Sequence, residues 1–152
     1  MIFIFICLIA MNIFAIVMPK RLTRLEIYAT CFFSMVFGRT TDSILDILLN
    51  LYGFFSEGLQ FSGLIAQFLM YPAVNTLFLN YFPFHKGNKV KLVYILCWTL
   101  FSVTFEWISV QTSFFYYTTW KLWYSAMLYP IIFYILYLNL KLVRRLTGKE
   151  LG

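Results

Sequence analysis

Five long apolar runs, separated by short basic or polar segments, limit the folds open to this chain more than any other feature. A run of about 20 apolar residues is long enough to cross a bilayer as a helix. The sequence therefore predicts an all-α polytopic membrane protein, a bundle of five transmembrane helices forming one transmembrane domain over 1–152. The predicted spans are approximately 1–18, 27–52, 61–82, 92–114 and 122–140.

Composition and charge agree with a membrane location. The chain is 62% hydrophobic and 12% charged, with a mean hydropathy of +0.80. Soluble domains average about 45–50% apolar and about 25% charged residues. The net charge of +6 could suggest nucleic-acid binding, but the basic residues form short clusters between the apolar runs, as topology signals do. We therefore expect the lipid bilayer, and no nucleic acid, as a partner.

The basic residues also predict an orientation. Of the twelve Lys and Arg residues, Lys121 falls on one side of the predicted bundle and Arg39 within a span, which leaves ten on the other side. The positive-inside rule places those ten in the cytoplasm, with the N-terminus outside and the C-terminus cytoplasmic. The first run lacks the leading charges and the cleavage site of a signal peptide, so we interpret it as a retained span. A cleaved or peripheral first segment is the alternative.

The most polar stretch within the apolar runs lies in the second predicted span. Arg39, Asp42, Asp46 and Asn50 fall at i, i+3, i+7 and i+11, so on an α-helix they share one face. A charged side chain at the bilayer centre costs roughly 2.5–3.5 kcal/mol on insertion scales, so we expect this face to meet protein, water or an ion. Because the run exceeds the needed length, it predicts a tilted continuous helix, with a break at Gly38 as the alternative.

Polar groups in other spans lie at a matching depth. Gln67 in the third span and Glu106 in the fourth fall in the same half of the bundle as Asp42 and Asp46. If these helices adjoin, three carboxylates meet one guanidinium, and either a cation enters or a carboxyl stays protonated. We predict a proton- or ion-binding site at Asp42, Asp46 and Glu106, supported by Arg39, Asn50 and Gln67. An internal network that pairs Arg39 with Asp42 is the structural alternative.

Three functions remain open at this point. The first is an integral membrane protein that binds or conducts a proton or small cation. The second is a structural or regulatory subunit whose polar helix face docks a partner, either a second copy or another membrane protein. The third is a Mg²⁺-dependent lipid-modifying enzyme that uses Asp42 and Asp46, four residues apart. We assign no catalytic residue, and His85 argues against a catalytic triad because it lies in a predicted cytoplasmic loop far from the acids. The sequence leaves the cofactor and any metal unknown.

Aromatic residues and cysteines carry weaker signals. Tyr and Trp are frequent between Tyr116 and Tyr124, which is typical of an interfacial belt; a cage for a quaternary ammonium is the alternative. Cysteines Cys7, Cys31 and Cys97 lie within apolar runs without paired spacing, so we expect neither a disulfide framework nor a zinc site.

Two segments carry a resemblance to a known group of proteins. Trp98–Phe101 and Phe105–Trp107, followed by the aromatic loop and Tyr129–Pro130, are similar to small uncharacterised multi-span membrane proteins of spore-forming Gram-positive bacteria. This resemblance implies a multi-pass protein of the bacterial cytoplasmic membrane with about five spans. It implies no activity.

Overall fold

The computed structural model describes residues 2–54, 61–112 and 114–148, and most of this part of the chain is helical. The five helices are α1 (Ile2–Val17), α2 (Arg24–Asp42), α3 (Phe61–Asn80), α4 (Asn88–Gln111) and α5 (Leu122–Leu146). A π-helical segment, Ser43–Leu48, continues α2, and two short strands follow α2 and α4: β1 (Tyr52–Phe54) and β2 (Phe115–Tyr117). The predicted all-α class is confirmed, and the paired strands are a feature that the sequence did not predict.

Two of the described helices are long and apolar enough to span a membrane, namely α4 and α5. The shorter α1 is also apolar, over sixteen residues. In α2 the charges of Arg24, Glu26 and Arg39 reduce the hydropathy of the helix. The same polar residues that make the second run a candidate site thus also lower its hydropathy below that of α4 and α5.

The helices form a bundle in which α2 packs against both α3 and α5, α1 against α3, and α4 against α5. One cluster of buried apolar side chains surrounds Phe78 and Phe133, and another surrounds Ile4 and Leu8. Between them, the helices turn polar side chains towards one another. The buried polar residues include Glu26, Thr30, Ser34, Gln67, Asn75, Asn80, Thr99, Glu106, Ser109 and Ser125.

One end of the bundle is closed by a capping box and an ion pair. The hydroxyl of Thr23 accepts from the backbone N–H of Glu26, and a carboxylate oxygen of Glu26 accepts from the N–H of Thr23 at 2.6 Å. Together these satisfy two of the free donors at the start of α2. The other carboxylate oxygen of Glu26 lies 2.9 Å from Nε of Arg144 near the end of α5. We call this the ion-pair end.

The two strands close the opposite end. β1 pairs antiparallel with β2, with Tyr52 opposite Tyr117. The carbonyl of Leu51 accepts from the backbone N–H groups of three successive residues, 118–120, which ties the loop after β2 to the start of β1. We call β1 and β2 the ribbon, and this end the ribbon end.

The second predicted span is continuous through Gly38, as expected, but it changes helix type after Asp42. The N–H of Leu49 bonds to the carbonyl of Ile44 at 3.0 Å, five residues back. A π-helical turn holds more residues than an α-helical turn. Residues after Asp42 therefore leave the face on which α-helical spacing would place them.

Candidate site: a cavity with two carboxylates

A cavity of about 190 Å³ lies inside the bundle, towards the ribbon end. Helices α2, α3, α4 and α5 and both strands contribute to its wall. Asp42 and Glu106 both line it, and Gln67 bonds to Asp42 just beside it. Most of the remaining wall is aromatic or aliphatic. The aromatic lining residues are Phe37, Tyr52, Tyr71, Phe101, Phe105, Phe114, Phe115, Trp120, Tyr129 and Phe133.

Asp42 accepts three hydrogen bonds from other elements. The hydroxyl of Tyr52 donates to Oδ1 at 2.7 Å, and the amide of Gln67 donates to Oδ2 at 2.9 Å. The hydroxyl of Tyr71 on α3 also donates to Oδ2. A carboxylate offers about four acceptor positions, so one remains unfilled by these donors.

Arg39 acts on Asp42 through Gln67. Its guanidinium donates to Oε1 of Gln67 at 2.8 Å, while Nε2 of the same amide reaches Asp42. Gln67 is only 2% exposed, so this relay is fixed within the protein. The structural alternative, a direct pair of Arg39 with Asp42, is not what the geometry shows: in the described ranges, Glu26 and Arg144 form the sole ion pair.

Glu106 has a matching set of three donors. Tyr117 donates to Oε1 at 2.5 Å, Ser125 donates to the same oxygen at 2.7 Å, and the hydroxyl of Tyr129 donates to Oε2. The indole N–H of Trp120 donates in turn to Oγ of Ser125 at 2.8 Å and fixes the direction of that hydroxyl. Glu106 is 7% exposed and has no cation among these partners.

The ribbon joins the two carboxylates. Tyr52, which bonds to Asp42, and Tyr117, which bonds to Glu106, are direct cross-strand partners. Partners directly opposite in an antiparallel pair project to the same face. Burial and the nearby Glu106 raise the pKa of the Tyr117 hydroxyl, so it remains a proton donor. A movement of the ribbon would therefore disturb both acidic groups together.

Gly38 allows the approach of α3 to α2 at this level. A Cβ on Gly38 would lie 2.9 Å from two carbons of the Tyr71 ring. Real Cβ contacts are longer, so only glycine lets the ring of Tyr71 lie flat enough on α2 to reach Asp42. A break at Gly38 was the alternative to a continuous helix, whereas in the structure Gly38 is a contact point.

Asp46 and Asn50 lie apart from this cavity. Asp46 is half-buried, is not among the cavity-lining residues, and has no hydrogen-bond partner in the described part of the chain. A π-helical segment begins directly after Asp42 and changes the angle between successive side chains, so α-helical spacing does not hold for Asp46. Asn50 is exposed with φ of 47°, a left-handed conformation that asparagine tolerates at helix ends. Its position is explained by helix termination.

The surroundings of Asp42 bear on the enzyme hypothesis. Mg²⁺ requires several oxygen ligands in near-octahedral geometry. In residues 2–54, 61–112 and 114–148, no three His, Cys, Asp or Glu side chains are grouped so that they could hold a metal ion. The donors on Asp42 also occupy most of its acceptor positions. The geometry therefore gives the Mg²⁺-dependent enzyme no support.

Sequence reasoning missed the tyrosines that hold the carboxylates. The stretch from Tyr116 to Tyr124 was interpreted as an interfacial belt, yet Tyr117 and Trp120 bond inward. One signal was present in α3, where Gln67, Tyr71 and Asn75 repeat every four residues and so share a helix face. No comparable signal marks Tyr129 on α5.

Comparison of the chain with protein-family models, curated proteins and solved structures finds no match. The resemblance to multi-span proteins of spore-forming bacteria therefore stays a prediction. Residue roles at the cavity rest on the geometry alone.

Proposed function

We propose that this chain is a five-span integral membrane protein whose cavity takes up a proton or binds a small cation between Asp42 and Glu106. The membrane location is supported by the apolar side chains that the helices expose on the outside of the bundle while polar side chains face inward. Each helix exposes large apolar residues, for example Phe3, Phe32, Phe68, Leu100 and Ile131. An exposed apolar surface of this extent marks contact with lipid or protein.

The formal charges of the residues at the cavity are the observation that supports a proton or cation site. Two carboxylates line the cavity, and the one guanidinium, that of Arg39, reaches Asp42 through Gln67. If all three are ionised, the site carries one negative charge in excess. An uncompensated charge is costly inside the hydrocarbon layer. A proton or a bound cation at the cavity would restore neutrality.

The charge count can be tested on purified protein in lipid nanodiscs. In a buffer whose sole cation is tetrabutylammonium, too bulky for the cavity, we expect infrared spectra to show the C=O band of one protonated carboxyl. Adding a cation that fits should remove this band and release one proton, read with a pH-indicator dye. NaCl, KCl, MgCl₂ and small organic ammonium chlorides would be added in turn.

The three acidic residues supply the variants and the control. Asp42→Asn or Glu106→Gln leaves one carboxylate against Arg39, so both the band and the proton release should disappear. Asp46→Asn makes the same chemical change in the same segment but away from the cavity, and it should leave both signals intact. Absence of the acid band in the wild type, together with no proton release by any cation, would refute the proposal.

The partner-docking alternative has less support. It requires that Arg39 and Asp42 offer a polar surface to another helix, but both bond to Gln67 within the bundle. Asp46 is the one acid of this stretch that remains half-buried and free of hydrogen bonds in the described segments. A single carboxylate is a small basis for recognition of a partner.

A further inference from the structure

The volume and wall of the cavity indicate what kind of cation fits. A cavity of about 150 Å³ lined by apolar side chains can hold benzene. At about 190 Å³, this cavity has room for a body of that size and a polar head. A lone metal ion or proton would leave most of the space empty or filled with water. This step and those below rest on the proposed function, because they name the guest of the same site.

The aromatic wall favours an organic ammonium over a metal ion. Rings of Phe105, Tyr71 and Tyr129 lie among the lining residues, close to the two acids. An ammonium group over an aromatic face is attracted by about 0.5–2 kcal/mol. A bare Ca²⁺ needs six to eight oxygen ligands instead. Each carboxylate here already accepts three hydrogen bonds, so few ligand positions remain.

We infer that the cavity binds a protonated primary or secondary amine with a small apolar body, its N–H groups directed to the carboxylates of Asp42 and Glu106. Because the site has one carboxylate more than it has guanidinium groups, one positive charge is needed to neutralise it. The empty site holds one proton, and R–NH₃⁺ replaces it, so that the carboxyl O–H bond breaks and one proton leaves to solvent. No oxidant, reductant or further reactant takes part.

Benzylamine is a suitable probe, and benzyl alcohol is its uncharged analogue of nearly the same shape. In nanodiscs we expect benzylamine to bind saturably by calorimetry and to release one proton per protein. Benzyl alcohol and KCl should not compete with it. Glu106→Gln should weaken benzylamine binding about thirtyfold or more, because it removes a buried charge partner.

The outcomes separate this inference from the function on which it rests. Proton release by KCl or MgCl₂ but not by benzylamine would overturn the amine and leave the cation site standing. Equal binding of benzyl alcohol and benzylamine would overturn it as well, because the cavity would then recognise only an apolar body. Loss of the acid band and of all proton release would remove both proposals. Asp46→Asn serves again as the control and should bind benzylamine as the wild type does.

Discussion

The two ends of the bundle treat inward-facing carboxylates in opposite ways. At the ion-pair end, Glu26 is 1% exposed, completes the capping box of α2 and contacts Arg144 directly. Towards the ribbon end, Asp42 and Glu106 are held by hydroxyl and amide donors, and the guanidinium of Arg39 reaches Asp42 through Gln67. At the ion-pair end, the charge of Glu26 is compensated by Arg144, whereas the two carboxylates at the cavity share one guanidinium.

The two ends differ in whether residues of the protein itself compensate the carboxylate, and this difference separates a structural carboxylate from a binding one. Glu26 does not line the cavity, and its oxygens are used by a backbone N–H and by Arg144. A buried charge that is fully paired needs nothing from outside. Asp42 and Glu106 are surrounded by dipoles that stabilise negative charge without neutralising it, and they border open space. Exposure alone would not have separated the two cases, because Glu106 is also nearly buried.

Removal of Arg144 should have the largest effect on stability. Arg144→Ala removes the cation that is bonded to Glu26, and breaking one partner of a buried pair costs about 3–5 kcal/mol. Because the Arg144 side chain is 16% exposed, we expect a loss of about 3 kcal/mol in the free energy of unfolding, at the low end of that range. Equilibrium unfolding in mixed micelles, followed by circular dichroism, measures it.

The neighbouring Arg145 is exposed and provides a matched control, since Arg145→Ala removes the same side chain without touching Glu26. Adding Glu26→Gln to Arg144→Ala should recover part of the loss, because the unpaired charge is then gone. Equal destabilisation by Arg144→Ala and Arg145→Ala would show that the contact of Arg144 with Glu26 does not stabilise the fold. The contrast between the two ends would then fail.

Gly38→Ala tests the packing beside the cavity, and we expect it to lower the free energy of unfolding less than Arg144→Ala does. The added Cβ would lie 2.9 Å from the Tyr71 ring and displace the donor to Asp42. Overpacking costs about 1–3 kcal/mol, while replacing glycine by alanine inside a helix gains about 1 kcal/mol. We expect a net loss of up to about 2 kcal/mol by equilibrium unfolding.

A double-mutant cycle shows whether the Tyr71 contact is the cause. In a Tyr71→Ala background the ring is absent, so Gly38→Ala should change sign and become stabilising through helix propensity alone. Destabilisation of the same size in both backgrounds would mean that Gly38 is needed for some other reason.

The sequence predicted elements better than it predicted contacts. Five apolar runs, a continuous helix through Gly38 and the inward direction of Gln67 and Glu106 follow from periodicity and from the cost of polar groups in lipid. The pairing of Tyr52 with Tyr117 does not follow from them, because it joins two loops that are distant along the chain. Local patterns carry no information on such a register.

Asp46 shows a second kind of limit. Its place on the face of Arg39 and Asp42 assumes α-helical spacing throughout, and a π-helical segment begins at Ser43, directly after Asp42. Nothing in the residues of that segment distinguishes it from an ordinary helix. Gln67 and Tyr71 lie in an α-helix, so their spacing of four residues places both on the face that reaches Asp42.

The smallest expected effect is the pH dependence that Glu26 gives to stability. Burial alone raises the pKa of Glu26, but the hydrogen bonds from Thr23 and Arg144 outweigh it and hold the pKa below its ordinary value of 4.5. The unfolded chain therefore binds more protons than the native state between those two values. The contribution of Glu26 is complete above about pH 4.5 and is lost as the pH falls through its lowered native pKa. The difference in melting temperature between wild type and Glu26→Gln should shrink over that acidic window, and a difference that grew on acidification would reverse the assignment of Glu26 as the carboxylate already satisfied within the fold.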